Sequence, residues 1–312
     1  MSRAFTPRAV DPHRGVMRET LVALLEPLLG RGECEFMADV ADHYPILVMC
    51  HLLGVPEEDH DDFATWNKAI TWVLSFELGT HREEAEWGMN QLDGYVERLI
   101  EDRRQNPRED MITALVQAEE AGDRLSDGEL RSMIGGLLFA GFDTTRNQLG
   151  LAMALFAEHP EQWSRLAGQP DLVPRAVEEV MRYDGATRAT PRLTVEDLEI
   201  DGYHLPAGTF LALGTSSANS DPAAYDEPAR FDIAVDREPH LTFGGGPHYC
   251  LANLARAEMQ EALTILSARL PEFALAGEPT WRPPIGIFGP ETLPLRFAVA
   301  TPASGTHPPR HR

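Results

Sequence analysis

Between residues 12 and 183, apolar side chains recur at three- and four-residue spacing, broken by proline, glycine and acidic turns. No other feature of the chain narrows its fold as much, because this period belongs to helices that bury one stripe. The pattern predicts helices over 13–29, 35–53, 58–76, 81–105, 109–120, 127–158, 160–167 and 172–183. The sixth opens on Ser126 and Glu129, the S-x-x-E spacing in which a hydroxyl and a carboxylate satisfy free backbone N–H groups reciprocally. At ~1.5 Å per residue, a helix of that length would cross a whole domain.

The periodicity changes after residue 190. Short strands are predicted over 192–195, 198–200, 203–205 and 209–213, with Pro206-Ala-Gly208 as a turn. An irregular stretch to Pro239 leads to a glycine-rich loop and a helix over 251–270, and 273–298 reads as short strands around Pro–Gly turns. Residues 301–312 read as a disordered tail. The expectation is a mainly α fold with small β-sheets, as one domain over residues 1–300.

Charge and cysteine usage exclude whole classes of function. There are 27 basic and 49 acidic side chains, a net charge of −22, and no basic cluster, so neither a nucleic acid nor an anionic membrane is an expected partner. Cys34, Cys50 and Cys250 are unevenly spaced and odd in number, which builds no disulfide framework and points to a reducing cytoplasm. The N-terminus has no apolar signal-peptide core. The longest apolar stretch, 46–53, is interrupted by His51 and is far short of the ~20 residues that span a bilayer.

The chemistry concentrates in Phe243-Gly-Gly-Gly-Pro-His-Tyr-Cys250, a loop that delivers one cysteine to the start of a helix. Its glycines permit backbone conformations closed to other residues and let a flat ligand come close. A helix N-terminus stabilises a thiolate, and a thiolate so presented could ligate haem iron. A cysteine merely buried beside a glycine turn is the plainer alternative.

The long helix carries a second signal. Gly135, Gly136 and Gly141 each give up ~1 kcal/mol relative to alanine, so a close neighbour or a ligand must use the space. Asp143 and Thr144 follow an apolar run, where an acid beside a hydroxyl is costly unless it is hydrogen-bonded or handles protons.

Taken in order, these segments resemble cytochrome P450. Residues 243–250 match the F-G-x-G-x-H-x-C haem loop, Ala140-Gly-Phe-Asp-Thr-Thr145 is similar to the oxygen-activation motif, and Glu179-Val-Met-Arg182 matches the E-x-x-R pair. The runs 192–208 and 218–222 resemble the bacterial form of the family. The resemblance implies a P450 fold, haem b with Cys250 as axial iron ligand, and insertion of one oxygen atom from O₂ into a small organic substrate. It further implies two electrons from a ferredoxin-type donor. By position, Thr144 would hydrogen-bond the activated oxygen and Asp143 would relay protons from solvent. Likewise, Ala140, Gly141, Phe243, Gly244 and Gly246 would lie against the haem, and His248 and Arg192 would hold its propionates. Glu179 and Arg182 would form a structural ion pair. The substrate wall would draw on Leu138, Phe139, Phe142, residues 186–189 and residues 285–288.

Three departures from the family pattern stand beside the matches. The family's members carry a further N-terminal segment ahead of the stretch that Ser2–Arg8 resembles. One residue is missing from Cys250-Leu-Ala-Asn-Leu-Ala-Arg256 relative to the usual Cys-Leu-Gly-Ala-x-Leu-Ala-Arg. Val235 replaces the arginine expected to join Glu179 and Arg182, with Arg237 two residues on as a substitute or an exposed loop residue. These departures leave open a catalytically impaired remnant or an auxiliary protein that activates a partner enzyme.

Overall fold

The computed structural model describes residues 6–74, 78–108, 110–120, 126–246, 249–250, 252–283 and 286–299. The helical period resolves into α1 (Pro7–Val10), α2 (Arg14–Leu29), α3 (Tyr44–Leu53), α4 (His60–Ile70), α5 (Arg82–Gln105) and α6 (Met111–Glu120). It continues with α7 (Asp127–Ala140), α8 (Asp143–Glu158), α9 (Pro160–Gly168), α10 (Val173–Tyr183), α11 (Thr215–Asn219) and α12 (Asn253–Arg269). The strands are β1 (Glu33–Glu35), β2 (Thr190–Leu193), β3 (Leu198–Ile200), β4 (Tyr203–Leu205), β5 (Phe210–Leu213), β6 (Phe273–Leu275), β7 (Thr280–Trp281), β8 (Pro290–Thr292) and β9 (Pro294–Phe297). The fold is mainly α with small antiparallel sheets.

Every residue of α8 from Thr145 to Phe156 is buried, so this helix runs through the core. It packs against α3, α7, α9, α10 and α12. A helix buried all round has no amphipathic stripe, which is why its polar residues bond inward: Gln148 Nε2 donates to the Asp184 carbonyl at 3.1 Å, and the Ala186 N–H donates to Gln148 Oε1 at 2.9 Å. The capping box at α7 is formed as expected, with the Glu129 N–H donating to Ser126 Oγ at 3.3 Å and the Ser126 N–H to Glu129 Oε2 at 2.8 Å.

Two expectations about helices are corrected. The stretch 35–53 is not one helix. Glu33–Glu35 pairs with β9 in the sheet of order β1-β9-β6, and α3 starts afresh at Tyr44 with Pro45 in its first turn. The stretch 127–158 is also two helices, α7 and α8, parted at Gly141 and Phe142. The second stretch of β pairing joins β2 to β5, with Arg192 opposite Leu211. The expected tail, 301–312, lies outside the described residues. No helix among the described residues is long and apolar enough to cross a membrane.

Candidate active site

The glycine-rich loop turns where the chain can turn. Gly244 and Gly246 have φ of 73° and 68°, a left-handed conformation that costs glycine nothing. The Cys250 N–H donates to the Phe243 carbonyl at 3.1 Å and closes the loop. Cys250 stands ahead of α12, which starts at Asn253 rather than at Leu251. Upstream, the loop is tied down by Asn219, whose Oδ1 accepts from the Leu241 N–H at 2.7 Å and whose Nδ2 donates to Thr242 Oγ1 at 2.9 Å.

Downstream, the Arg256 guanidinium lies 4.5 Å from the centre of the Phe243 ring and donates to both oxygens of Glu178 on α10, at 2.7 and 2.9 Å. Burial raises the Glu178 carboxyl, but His240 and Arg256 outweigh it and hold that carboxyl at about 2. One residue thus links the ring of the loop to a neighbouring helix.

At the break in the long helix, a Cβ on Gly141 would lie 2.6 Å from Met49 Sδ, so a close neighbour explains this glycine. Gly135 and Gly136, by contrast, have nothing within 4 Å, and the space expected there serves no neighbour. The Thr144 hydroxyl donates back to the Ala140 carbonyl at 2.9 Å, across the break. Asp143 is 1% exposed; both its oxygens accept from Arg282 Nη1, at 2.8 and 3.0 Å, and Oδ1 also accepts from Asn147 Nδ2 at 3.1 Å.

A cavity of about 680 Å³ lies between these parts, within the ~300–1,000 Å³ common for cofactor and small-molecule sites. Cys250, Phe243 and Gly244 line it from the loop, Ala140, Gly141 and Thr144 from the long-helix segment, and Arg192 from β2. Asp143 and Gly246 are not among its lining residues, and His248 lies outside the described residues. Of the expected substrate wall, Ala186 and Thr187 border the cavity. Leu138 and Phe142 are buried in the main core with Phe139 packed against it, and none of the three lines the cavity. Phe288 packs with Leu151 and Ala186, whereas Ile285 lies outside the described residues.

The donors present suit a haem. A single thiol borders one part of the cavity, a cation another, and Met49, Leu137, Met181 and Leu254 supply apolar wall. The other two cysteines cannot compete, because burial pushes the thiols of Cys34 and Cys50 up to about 12 each.

Three residues of the site, Met49, Arg282 and Glu258, escape sequence reasoning, and a fourth, Thr145, is legible only as the end of the 140–145 motif. Met49 packs against Gly141 at the helix break, and Arg282 holds Asp143. Thr145 and Glu258 line the cavity, and Glu258 is 0% exposed with neither carboxyl oxygen hydrogen-bonded among the described residues. An acid on the buried stripe of the last helix was the available signal for Glu258.

Comparison with known proteins agrees with this geometry. The family model described as Cytochrome P450 matches residues 58–276. Luteothin monooxygenase of Streptomyces thioluteus is 39% identical over 302 residues, which cover 95% of this chain and 73% of that protein. Polyketide biosynthesis cytochrome P450 PksS of Bacillus subtilis is 34% identical with the same coverage of each chain. Among solved structures, P450BioI in complex with a hexadec-9Z-enoic acid-ligated acyl carrier protein superposes with a TM-score of 0.89 at 34% identity, covering 95% of this chain and 77% of that one.

Proposed function

This chain belongs to the cytochrome P450 family and is a monooxygenase of it, and from that premise we propose which of its residues do the work. The reading rests on one observation: Cys250 and Thr144, from distant parts of the sequence, border the same cavity. An auxiliary protein would have no use for that convergence, which favours an enzyme over the remnant or activator.

Cys250 would hold the haem iron through its thiolate, and Arg192 would hold a propionate, where a cation opposes a carboxylate. Bound there, haem b supplies the oxygen chemistry, in which O₂, two electrons and two protons yield one oxygen atom in the substrate and one water. Phe243, Gly244 and Gly246, braced by Arg256 and Asn219, keep the loop at its distance from the long-helix segment. His248 is a second propionate partner on the family pattern.

Thr144 turns its hydroxyl from the Ala140 carbonyl towards the cavity and donates there. Asp143 restores that proton from solvent, a step that requires Arg282 to release one of its oxygens. Ala140 and Gly141 leave their side of the cavity open, since neither carries a side chain beyond a methyl group.

The substrate is a small, largely apolar organic molecule, in keeping with the methionine and leucine wall. The names of the relatives, luteothin monooxygenase among them, favour a product of secondary metabolism. Electrons arrive from a ferredoxin-type protein, and the three cysteines, none in a disulfide, suit the reducing cytoplasm in which such a donor works. The test is the ferrous CO complex. Its red-shifted main absorption band is expected in wild type, Cys34→Ala and Cys50→Ala, and is lost in Cys250→Ala. Survival of the band in Cys250→Ala overturns the ligand assignment.

A further inference from the structure

One planar group holds both ends of the cysteine loop. All three guanidinium nitrogens of Arg256 are committed: Nε and Nη2 donate to the two oxygens of Glu178 at 2.7 and 2.9 Å, and Nη1 donates to the Tyr249 hydroxyl at 3.2 Å. The central carbon of the same group lies 4.5 Å from the centre of the Phe243 ring. Phe243 opens the loop, and Tyr249 immediately precedes Cys250, whose N–H donates to the Phe243 carbonyl at 3.1 Å. Arg256 therefore touches the residues on both flanks of the cysteine.

The start of α12 gives Cys250 little support of its own. The helix begins at Asn253, and Ala252 at its N-cap has no side chain that can cap it. The stretch from Cys250 to Arg256 is also one residue shorter than the family pattern. A guanidinium fixed at three nitrogens and one face cannot turn or slide without losing a contact, a property of the planar fork that an ammonium lacks. Its anchor is fixed as well. Burial raises the Glu178 carboxyl, but His240 and Arg256 outweigh it and hold it at about 2, so Glu178 is ionised at neutral pH. His240 Nε2 lies 3.2 Å from Glu178 Oε2, and the His240 ring is centred 5.5 Å from that of Phe243. One carboxylate of α10 thus holds two groups that both contact the ring.

On the reading that Cys250 holds haem iron, we infer that Arg256 is a positioning residue for that thiolate, acting through Tyr249 and Phe243 and anchored by Glu178. A sulfur donor is effective only at the distance and angle its loop presents, and the groups that orient a ligand govern it nearly as much as the ligand itself. When the loop loosens, the sulfur is held less firmly, takes up a proton and donates less. The clamp does the work that a capped helix start would otherwise do, in a chain whose helix start is uncapped and one residue short. Arg256 acts on the ligand through its two neighbours and is not a catalytic residue.

The ferrous CO spectrum of the full haem-loaded chain tests this. Sulfur held as a thiolate gives the red-shifted main band, and a neutral thiol gives an unshifted one. Wild type is expected in the red-shifted band. The ratio of unshifted to red-shifted absorption should rise about tenfold in Arg256→Gln, the scale of one lost hydrogen bond to a charged group, and by less in Arg256→Lys, whose ammonium cannot serve every partner. Tyr249→Phe should raise the ratio as well. Added to Arg256→Gln, it should raise it no further, because both changes break the same contact. A tie that only joined α10 to α12 would lower the melting temperature and leave the bands in place. Should Arg256→Gln fail to fold, Arg256→Lys and Tyr249→Phe carry the test. Bands unchanged in Arg256→Lys and Tyr249→Phe overturn the inference, as does an effect of Tyr249→Phe that persists in full beside Arg256→Gln. Wild type separates the two failures. No haem, or no red-shifted band, in wild type overturns the ligand reading and this inference with it, whereas a red-shifted band equally strong in wild type and variants overturns the inference alone.

Discussion

Arg237 completes the buried ion pair of Glu179 and Arg182: its Nε lies 3.1 Å from Glu179 Oε2, while Arg182 donates to the same carboxylate at 2.7 and 2.9 Å. Val235, where the family pattern has its arginine, is 40% exposed, so the role has moved two residues along the loop. Arg237 also donates to the Arg230 carbonyl at 3.0 Å, which ties the loop to this pair. Arg237→Ala is expected to cost about 1–3 kcal/mol, since its partner Glu179 is a charged group that stays buried. Arg237→Lys recovers part of that, because an ammonium cannot reproduce the planar fork. Urea unfolding of the two variants checks both, and an Arg237→Ala chain as stable as wild type makes this arginine a surface residue.

Glu178 sets a pH window. Burial opposes its charge, but His240 and Arg256 hold its carboxyl at about 2, against an ordinary value of 4.5. A carboxyl depressed on folding contributes stability that is present above its unfolded value and lost as pH falls through its folded value. The melting-temperature gap between wild type and Glu178→Gln is therefore expected to be constant above about pH 5 and to close between 4.5 and about 2. A gap that stays constant through that window places the effect outside this ion pair. The side chain is 42% exposed, so added salt should narrow the gap as well.

The helices were legible because they depend on a local period, and the haem loop because glycine, phenylalanine and cysteine must follow one another to make it. Arg237 was legible only as an alternative, since two residues of loop decide whether it reaches Glu179. The break between Ala140 and Asp143 was not legible: Gly141 there packs against Met49 of another helix, and nothing in the local sequence announces that contact. Arg282 is likewise far from Asp143 in sequence. Glu258 was passed over because a lone acid near an apolar stripe resembles any solvated position until burial is known.

Proton delivery separates Asp143 from Thr144. Thr144→Ala removes the hydroxyl that can donate into the cavity, so haem binding is expected to persist while reducing equivalents drain into hydrogen peroxide. Asp143→Asn is expected to slow turnover, with ~10²-fold as the lower end for loss of general acid help. Arg282→Gln frees Asp143 and should ease its release of a proton, at the cost of the ion pair. Peroxide yield per electron and the rate of oxygen consumption distinguish these cases, and unchanged values in Thr144→Ala and Asp143→Asn would leave both residues as packing groups.

The three glycines of the long-helix segment should respond oppositely to the same substitution. Gly135 and Gly136 lie inside α7 with open space where a Cβ would go, so alanine at either meets nothing and restricts only the unfolded chain. Each is expected to stabilise the protein by about 0.5–1 kcal/mol. At Gly141 a Cβ would sit 2.6 Å from Met49 Sδ and 2.7 Å from its Cγ, and Met49 is 2% exposed, which leaves it little room to give way. Overpacking of this kind costs about 1–3 kcal/mol. Met49 and Gly141 both line the cavity, so a displaced Met49 intrudes where a haem would lie, and Gly141→Ala should lower haem per chain as well as stability. Shortening the neighbour, in Gly141→Ala with Met49→Ala, is expected to restore haem content because the clash is removed. Thermal melts and pyridine haemochrome assays on the four variants measure both effects, and a Gly141→Ala chain with full haem and undiminished stability would mean that Met49 yields freely.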